Sequence, residues 1–212
     1  VVVPFPAGGT TDLLARTVTA RMGALLDAHF VIDNRGGAGG TIGSATVARA
    51  RPDGYTLVMS NVASFAVGPT LYGNLPYDAL RDFTHVGLIA DIPSVLVVGL
   101  NTKIRTLADY IAAARQDPGG IHFATSGNGS SAHIQGELFK HLAGIEIVHV
   151  PYRGSGPALI DVVGGQIESM LTAMANANTM ETQVRMLAIT TAARVPVLPN
   201  VPTFRELGFP DM

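Results

Sequence analysis

Residues 1–16 read VVVPFPAGGTTDLLAR, and this stretch decides the fold. An apolar run over residues 1–5 predicts a buried strand. Pro4 and Pro6 interrupt it, because proline has no N–H to give to a ladder. The chain then passes through Ala7-Gly8-Gly9 and becomes helix-like at Thr10-Thr11-Asp12. From residue 11 to 26, Leu14, Val18, Met22 and Leu25 recur at helical spacing and predict one apolar face. Strand, glycine loop and helix in that order open a βα unit. The loop offers glycines and hydroxyls but almost no charge, so what it could hold is the question for the whole chain.

The same alternation continues outward. Strands are predicted at residues 30–33, 55–60, 85–90 and 95–100, the second set off by the turn signal Pro52-Asp53-Gly54. An alanine-rich helix is predicted near residues 42–50, after the glycine-rich run 36–40. A second series follows residue 102. It comprises a helix at 107–115, a strand at 121–125, a helix at 131–142, a strand at 146–150, a helix at 158–163 and strands at 167–171 and 186–190. Pro196, Pro199 and Pro202 punctuate a return segment before a short helix at 203–207. Alternating βα units predict an α/β fold with parallel sheets and right-handed crossovers. Two series joined by extended apolar segments predict two lobes with a cleft.

Composition narrows the function classes. Of 212 residues, 47% are hydrophobic and 14% charged, which excludes a disordered chain. A formal net charge of −2 gives no electrostatic case for nucleic acid or an anionic membrane surface. No apolar run reaches the roughly 18 residues that a membrane span needs. The chain has no cysteine, which removes disulfides, thiolate nucleophiles and cysteine-ligated zinc. It begins inside a strand, as a chain whose signal peptide has been cleaved would.

Three loops share the design of the first. Residues 5–11, 124–131 and 150–157 each run from a predicted strand into a predicted helix through glycines. Glycine lets a backbone approach a ligand closely, and the N–H groups at a helix start favour an anion. Each loop alone has a plainer reading, in which Thr10, Ser130 and Ser155 are N-caps and Pro157 occupies the first helical turn. Three such loops at the carboxyl ends of strands favour a ligand cleft.

Other chemistries fit less well. Gly127 to Ala132 matches the dinucleotide fingerprint G-x-G-x-x-[G/A], but the next strand ends at His149-Val150 with no acid for a ribose. There is no Walker A sequence and no G-x-S-x-G elbow. His133, Glu137 and His141 recur every fourth residue and could share a helix face as metal ligands. The plainer reading gives His133 to the loop and leaves the other two solvated. Ser126 and His133 could pair for nucleophilic catalysis, but no third member or oxyanion hole is identifiable. No enzyme is expected, and no metal or cofactor.

At these loops the sequence resembles the Bug (TctC-type) family, the extracytoplasmic solute receptors of tripartite tricarboxylate transporters. The matching stretches are VVVPFPAGGTTD, DNRGGAGGTIGS, ARPDGYTLVMSN, LPYDALRDFTHVGLIA, ATSGNGSSAHIQGELFKHLAG, VHVPYRGSGPALIDVVGGQIE and LAITTAARVPVLPNVPTFRELG. They run in family order along essentially the whole chain. The resemblance implies a periplasmic-binding-protein fold of two α/β lobes joined by crossover strands, with lobe 1 at 1–98 and 192–212 and lobe 2 at 99–191. It implies capture of a small carboxylate without catalysis, in the periplasm, by a monomer that serves transporter subunits or a sensor protein. Carried over, the binding residues are Phe5, Pro6, Ala7, Gly8, Gly9, Thr10 and Asp12 from the first loop, with Ser126, Gly127, Gly129 and Ser130 from the second. Ser60, Asn61, His133, Tyr152 and Ser155 are further candidates.

Two departures from the family pattern carry expectations. Members that take amino acids place an Asp just after the strand matching 167–171, where this chain has Thr172, so non-aminated acids are expected. The family chain also continues past the position of Met212 and returns to the first lobe. The alternative reading is a nucleotide- or phosphate-ester-binding enzyme domain built on the same glycine loops.

Overall fold

The computed structural model describes residues 1–212. The chain divides into two compact units. One is Val1–Ile89 with Asn128–Ser130; the other is Ala90–Gly127 with Ser131–Met212.

In the first unit, strand β1 (Val2–Val3) pairs in parallel with β2 (Asp33–Asn34), in the register Val2 to Asp33 and Val3 to Asn34. On its other side Val2 bridges Val58 in parallel, its N–H donating to Leu57 O at 2.8 Å. The strand ends at Pro4, as the missing N–H requires. Helix α1 (Thr10–Leu26) follows. Its buried residues are Asp12, Ala15 and Thr19, while Leu25 is 67% exposed. The apolar stripe Leu14, Val18 and Met22 is half-buried and flanks that line of smaller side chains. The buried hydroxyl of Thr19 is satisfied within the helix, donating to Ala15 O at 2.7 Å.

A short 3-10 turn, Ala38–Gly40, leads into α2 (Thr41–Ala48). Glycine at 43 is required there: a Cβ would stand 2.9 Å from Pro4 Cα, so α2 packs directly on the end of β1. A π-helical stretch, Ala63–Val67, continues as α3 (Gly68–Leu71). Phe65, Tyr77 and Phe83 close a small aromatic core beside them, with Tyr77 donating to Ser64 O at 2.6 Å. The strand predicted at 55–60 is reduced to the single bridge at Val58, and the one predicted at 85–90 does not form. Val86 and Leu88 are 89% and 88% exposed. Apolar sequence supplies strand propensity, but a strand exists only where a neighbour completes its ladder.

The second unit is built on a five-stranded sheet. Its strands are β3 (Ser94–Gly99), β4 (His122–Thr125), β5 (Val148–Pro151), β6 (Ser169–Ala173) and β7 (Val184–Ile189). Their order is β5-β4-β6-β3-β7. β4 is parallel to β5 and β6, whereas β3 is antiparallel to both β6 and β7. The sheet is therefore mixed, which corrects the expectation of a purely parallel one. Every residue of β3 is buried, and such a run signals a central strand without revealing its direction.

Alternation along β3 sends Leu96 and Val98 to one face and Val95 and Val97 to the other. The first face packs Phe123, Leu171, Tyr110 of α4 (Leu107–Gln116) and Phe139 of α5 (Ser131–Ala143). The second packs Met170, Leu159 and Val162 of α6 (Ser155–Val163) and Ala177 of α7 (Met174–Thr179). Fully burying side chains of this size stabilises by about 1.5–3 kcal/mol each.

Residues 90–98 and 192–212 group with this second unit. The predicted helix at 203–207 is a series of turns instead. Thr203 bridges Ile189 at the edge of β7, Phe204 N donates to Ile189 O at 2.9 Å, and the Phe204 ring is wholly buried 5.3 Å from Phe139. Backbone pairing and an aromatic plug fix that segment, and neither leaves a helical period in the sequence. No helix is long and apolar enough to cross a membrane.

Candidate functional site

The loop from β1 to α1 is held by hydrogen bonds that start inside the helix. Gly8 has φ +82°, a left-handed conformation that favours glycine. Gly9 is the N-cap of α1 at φ −80°, ψ 169°, and contributes no side-chain cap. Thr10 is thus the first helical residue and not the cap. Pro6, Ala7 and Gly8 are exposed and Phe5 is half-buried.

Asp12, third in the helix and 3% exposed, turns its carboxylate back toward this loop. Its Oδ2 accepts from Gly8 N at 2.9 Å and from Arg16 Nε at 2.9 Å, and its Oδ1 accepts from Asn34 Nδ2 at 2.9 Å. Asn34 Nδ2 also donates to Phe5 O at 3.1 Å. The Arg16 hydrogen bond first, then the Gly8 amide, hold the Asp12 carboxyl down to about 2. Both oxygens of Asp12, expected among ligand-binding groups, are directed at protein donors.

In the same unit Ser60 is exposed, and Asn61 Oδ1 accepts from Ala63 N at 2.9 Å and Ser64 N at 3.2 Å. Those bonds cap the helical stretch behind it. They also orient Asn61 Nδ2, which is buried without a hydrogen-bond partner. A Cβ on Gly40 would lie 3.4 Å from that Nδ2 and 3.5 Å from Phe5 Cζ, so both border Gly40. Gly129 and Ser130 are buried and group with this unit.

In the second unit, the end of β4 organises two loops. Thr125, fully buried, accepts from Gly127 N at 3.2 Å, with Gly127 at φ +137°. Ser126 O accepts from Gly154 N at 3.2 Å, which joins the second candidate loop to the third. The third loop starts α6 with Gly154 as N-cap at φ +116°, again without a side-chain cap, and Ser155 is the first helical residue. Tyr152 Oη donates to Asp161 Oδ2 at 2.6 Å and so ties this loop to α6. Burial, then Asp161, push its phenol up to about 12.

His133, half-buried, stacks on His149 with ring centroids 3.9 Å apart. His149 Nε2 lies 2.6 Å from Thr125 Oγ1. Burial, and secondarily His133, bring the His149 pKa down to about 4, and burial lowers that of His133 against the pull of Glu137. Both rings are neutral at pH 7 and serve as packing against the end of β4. No group of three or more His, Cys, Asp or Glu side chains is placed to hold a metal ion, so His133, Glu137 and His141 do not assemble a centre.

Thr172 lies in β6, opposite Val95, and is 1% exposed. Its hydroxyl accepts from Asn176 Nδ2 at 3.4 Å.

Several organising residues escaped the sequence reading. Asn34 and Arg16 sat in view, the first inside the DNRGGAGG stretch, but only three-dimensional pairing brings them to Asp12. His149 stands in the sequence only at a strand end that lacks an acid. Its stacking partner lies 16 positions earlier on α5, and no local spacing relates the two.

Comparison with known proteins agrees with this architecture. A protein encoded in the tcbD-tcbE intergenic region of a Pseudomonas species is 41% identical over 207 residues, covering 97% of this chain and 61% of that relative. The chain thus spans about three fifths of that relative's length. Among solved structures, R. palustris Rpa4515 with adipate superposes with a TM-score of 0.94 at 39% identity, over 99% of this chain and 71% of that one. MatC from Rhodopseudomonas palustris with bound malate superposes with a TM-score of 0.91 at 34% identity, over 99% of this chain and 72% of that one. At this similarity the two-lobe α/β fold is shared. The model of the tripartite tricarboxylate transporter family receptor, TctC, matches residues 14–212, and the chain belongs to that family.

Proposed function

We propose that the chain captures a small organic acid, a di- or tricarboxylate, as the ligand-binding part of a periplasmic receptor that serves transporter subunits or a sensor. The observation that carries this reading is the shared start of α1 and α6. Each begins at a glycine N-cap that provides no side-chain cap. Uncapped helix starts with close backbone suit a carboxylate, which accepts N–H bonds and gains from the dipole. Relatives superposing with TM-scores of 0.94 and 0.91 are described with adipate and malate.

In this reading the binding groups are residues 5–10, Ser60 and Asn61, together with residues 126–130, His133, Tyr152 and Ser155. The backbone supplies most of the donors, and Asn61 Nδ2 is a buried side-chain donor available to the ligand. Thr172 favours acids without an amino group, because an ammonium ion desolvated in a cleft needs a negative partner. No step of catalysis is assigned to any residue.

The test is thermal unfolding with a panel of succinate, adipate, malate, citrate, aspartate and nucleotides. A true ligand at a hundredfold excess over Kd stabilises the folded protein by about 2.7 kcal/mol. Stabilisation by nucleotides and by no organic acid refutes the receptor reading. Aspartate outperforming succinate refutes the role given to Thr172.

A further inference from the structure

The carboxylate of Asp12 poses a physical problem for an anion site. It stands in the first turn of α1, where the proposed ligand would bring another negative charge, and like charges repel. Its surroundings resolve the conflict. The carboxylate is 3% exposed and accepts from Gly8 N, Arg16 Nε and Asn34 Nδ2, all at 2.9 Å. Arg16, on the next turn, supplies a compensating charge. Asn34 uses the same amide nitrogen to reach Phe5 O at 3.1 Å. Both ends of the loop, Phe5 and Gly8, are therefore tied to one buried group.

In α4 the third helical residue, Asp109, makes a capping box, accepting from Thr106 N while Thr106 Oγ1 accepts from Asp109 N, and its Oδ2 also accepts from Arg105 N at 3.0 Å. In α1 the N-cap is Gly9, which provides no side-chain cap, and Asp12 makes the counterpart of the Arg105 bond by accepting from Gly8 N. That bond holds Gly8 in its left-handed turn at φ +82°.

We propose that Asp12, with Asn34, is a positioning residue of the binding loop: it presents the loop backbone to the ligand carboxylate without touching the ligand. The inference rests on the receptor reading above. Near the same loop, the partnerless Nδ2 of Asn61 lies 3.4 Å from the Cβ position of Gly40, which is itself 3.5 Å from Phe5 Cζ. The loop must hold its shape for that donor and its own amides to act on one ligand.

The sign of one measurement separates positioning from simple electrostatics. Asp12→Asn removes a negative charge beside an anion site, so a purely electrostatic role makes the variant bind succinate or adipate more tightly. Positioning makes it bind more weakly, by tenfold or more in calorimetry, because an amide cannot accept from all three donors. Asn34→Ala, which changes no charge, should weaken binding in the same range, and the double variant should lose little beyond either single one. Hydrogen exchange at the Gly8 amide should quicken in both variants. If Asp12→Asn fails to fold, Asn34→Ala alone decides the question. Unchanged or tighter binding by either folded variant overturns the proposal. A wild-type protein that binds no organic acid overturns the receptor reading instead, and the two failures are told apart by that control.

Discussion

Replacing Gly9 with valine should abolish ligand binding while leaving the fold intact. Gly9 has φ −80°, ψ 169°, extended backbone open to every L-residue, so strain contributes nothing. A Cβ there would meet only Pro6 O, at 3.5 Å, an ordinary contact. Valine is a poorer N-cap than glycine, and the smaller freedom of its unfolded chain offsets that by about 0.4–1 kcal/mol. The apo protein should therefore unfold within about 2–4 °C of the wild type, the shift that 1 kcal/mol produces at this size. Gly8→Val supplies the contrast. Nothing stands within 4 Å of its Cβ, but φ is +82°, and a side chain in that region costs about 1–2 kcal/mol. Gly8→Val should lose both stability and binding, whereas Gly9→Val should lose only binding. Thermal melts with and without succinate or adipate separate the two effects. A folded Gly9→Val protein with wild-type affinity would refute the placement of the ligand at this loop.

Two further predictions concern the second unit. Gly136→Ala on α5 should destabilise by up to about 2 kcal/mol in denaturant unfolding, although alanine is the better helix former. The added Cβ would fall 2.2 Å from Phe123 Cε2 in a fully buried ring, and overpacking of about 1–3 kcal/mol outweighs a propensity gain of about 1 kcal/mol; a more stable variant contradicts this. Stability should also fall as the pH drops from about 6.5 toward about 4, because His149 titrates at about 4 in the fold and near 6.5 when unfolded, so the unfolded chain takes up the proton first. His149→Phe should flatten that part of the pH profile, and an unchanged slope would assign it to other groups.

The alternation of elements was legible from local pattern. α1, α4, α5 and α6 were expected within a few residues of where they form, because glycine turns and helical spacing are written within a few positions of each other. The three loops were legible for the same reason. Their glycines mark the places where the chain must turn left-handed, as Gly8, Gly127 and Gly154 do.

What tertiary structure alone decided is pairing and direction. β3 reads as a buried strand in isolation, but only its neighbours make it antiparallel. Residues 85–90 have strand composition and no ladder, and residues 192–212 join the second unit through Thr203 and Phe204. Thr10 and Ser155 looked like caps, yet the caps are the glycines before them. Asp12, a candidate ligand group by sequence, faces Gly8, Arg16 and Asn34, the last of them 22 residues away along the chain. Hydrogen-bond partners distant in sequence are selected by packing, and a carboxylate alone does not reveal which donors will surround it.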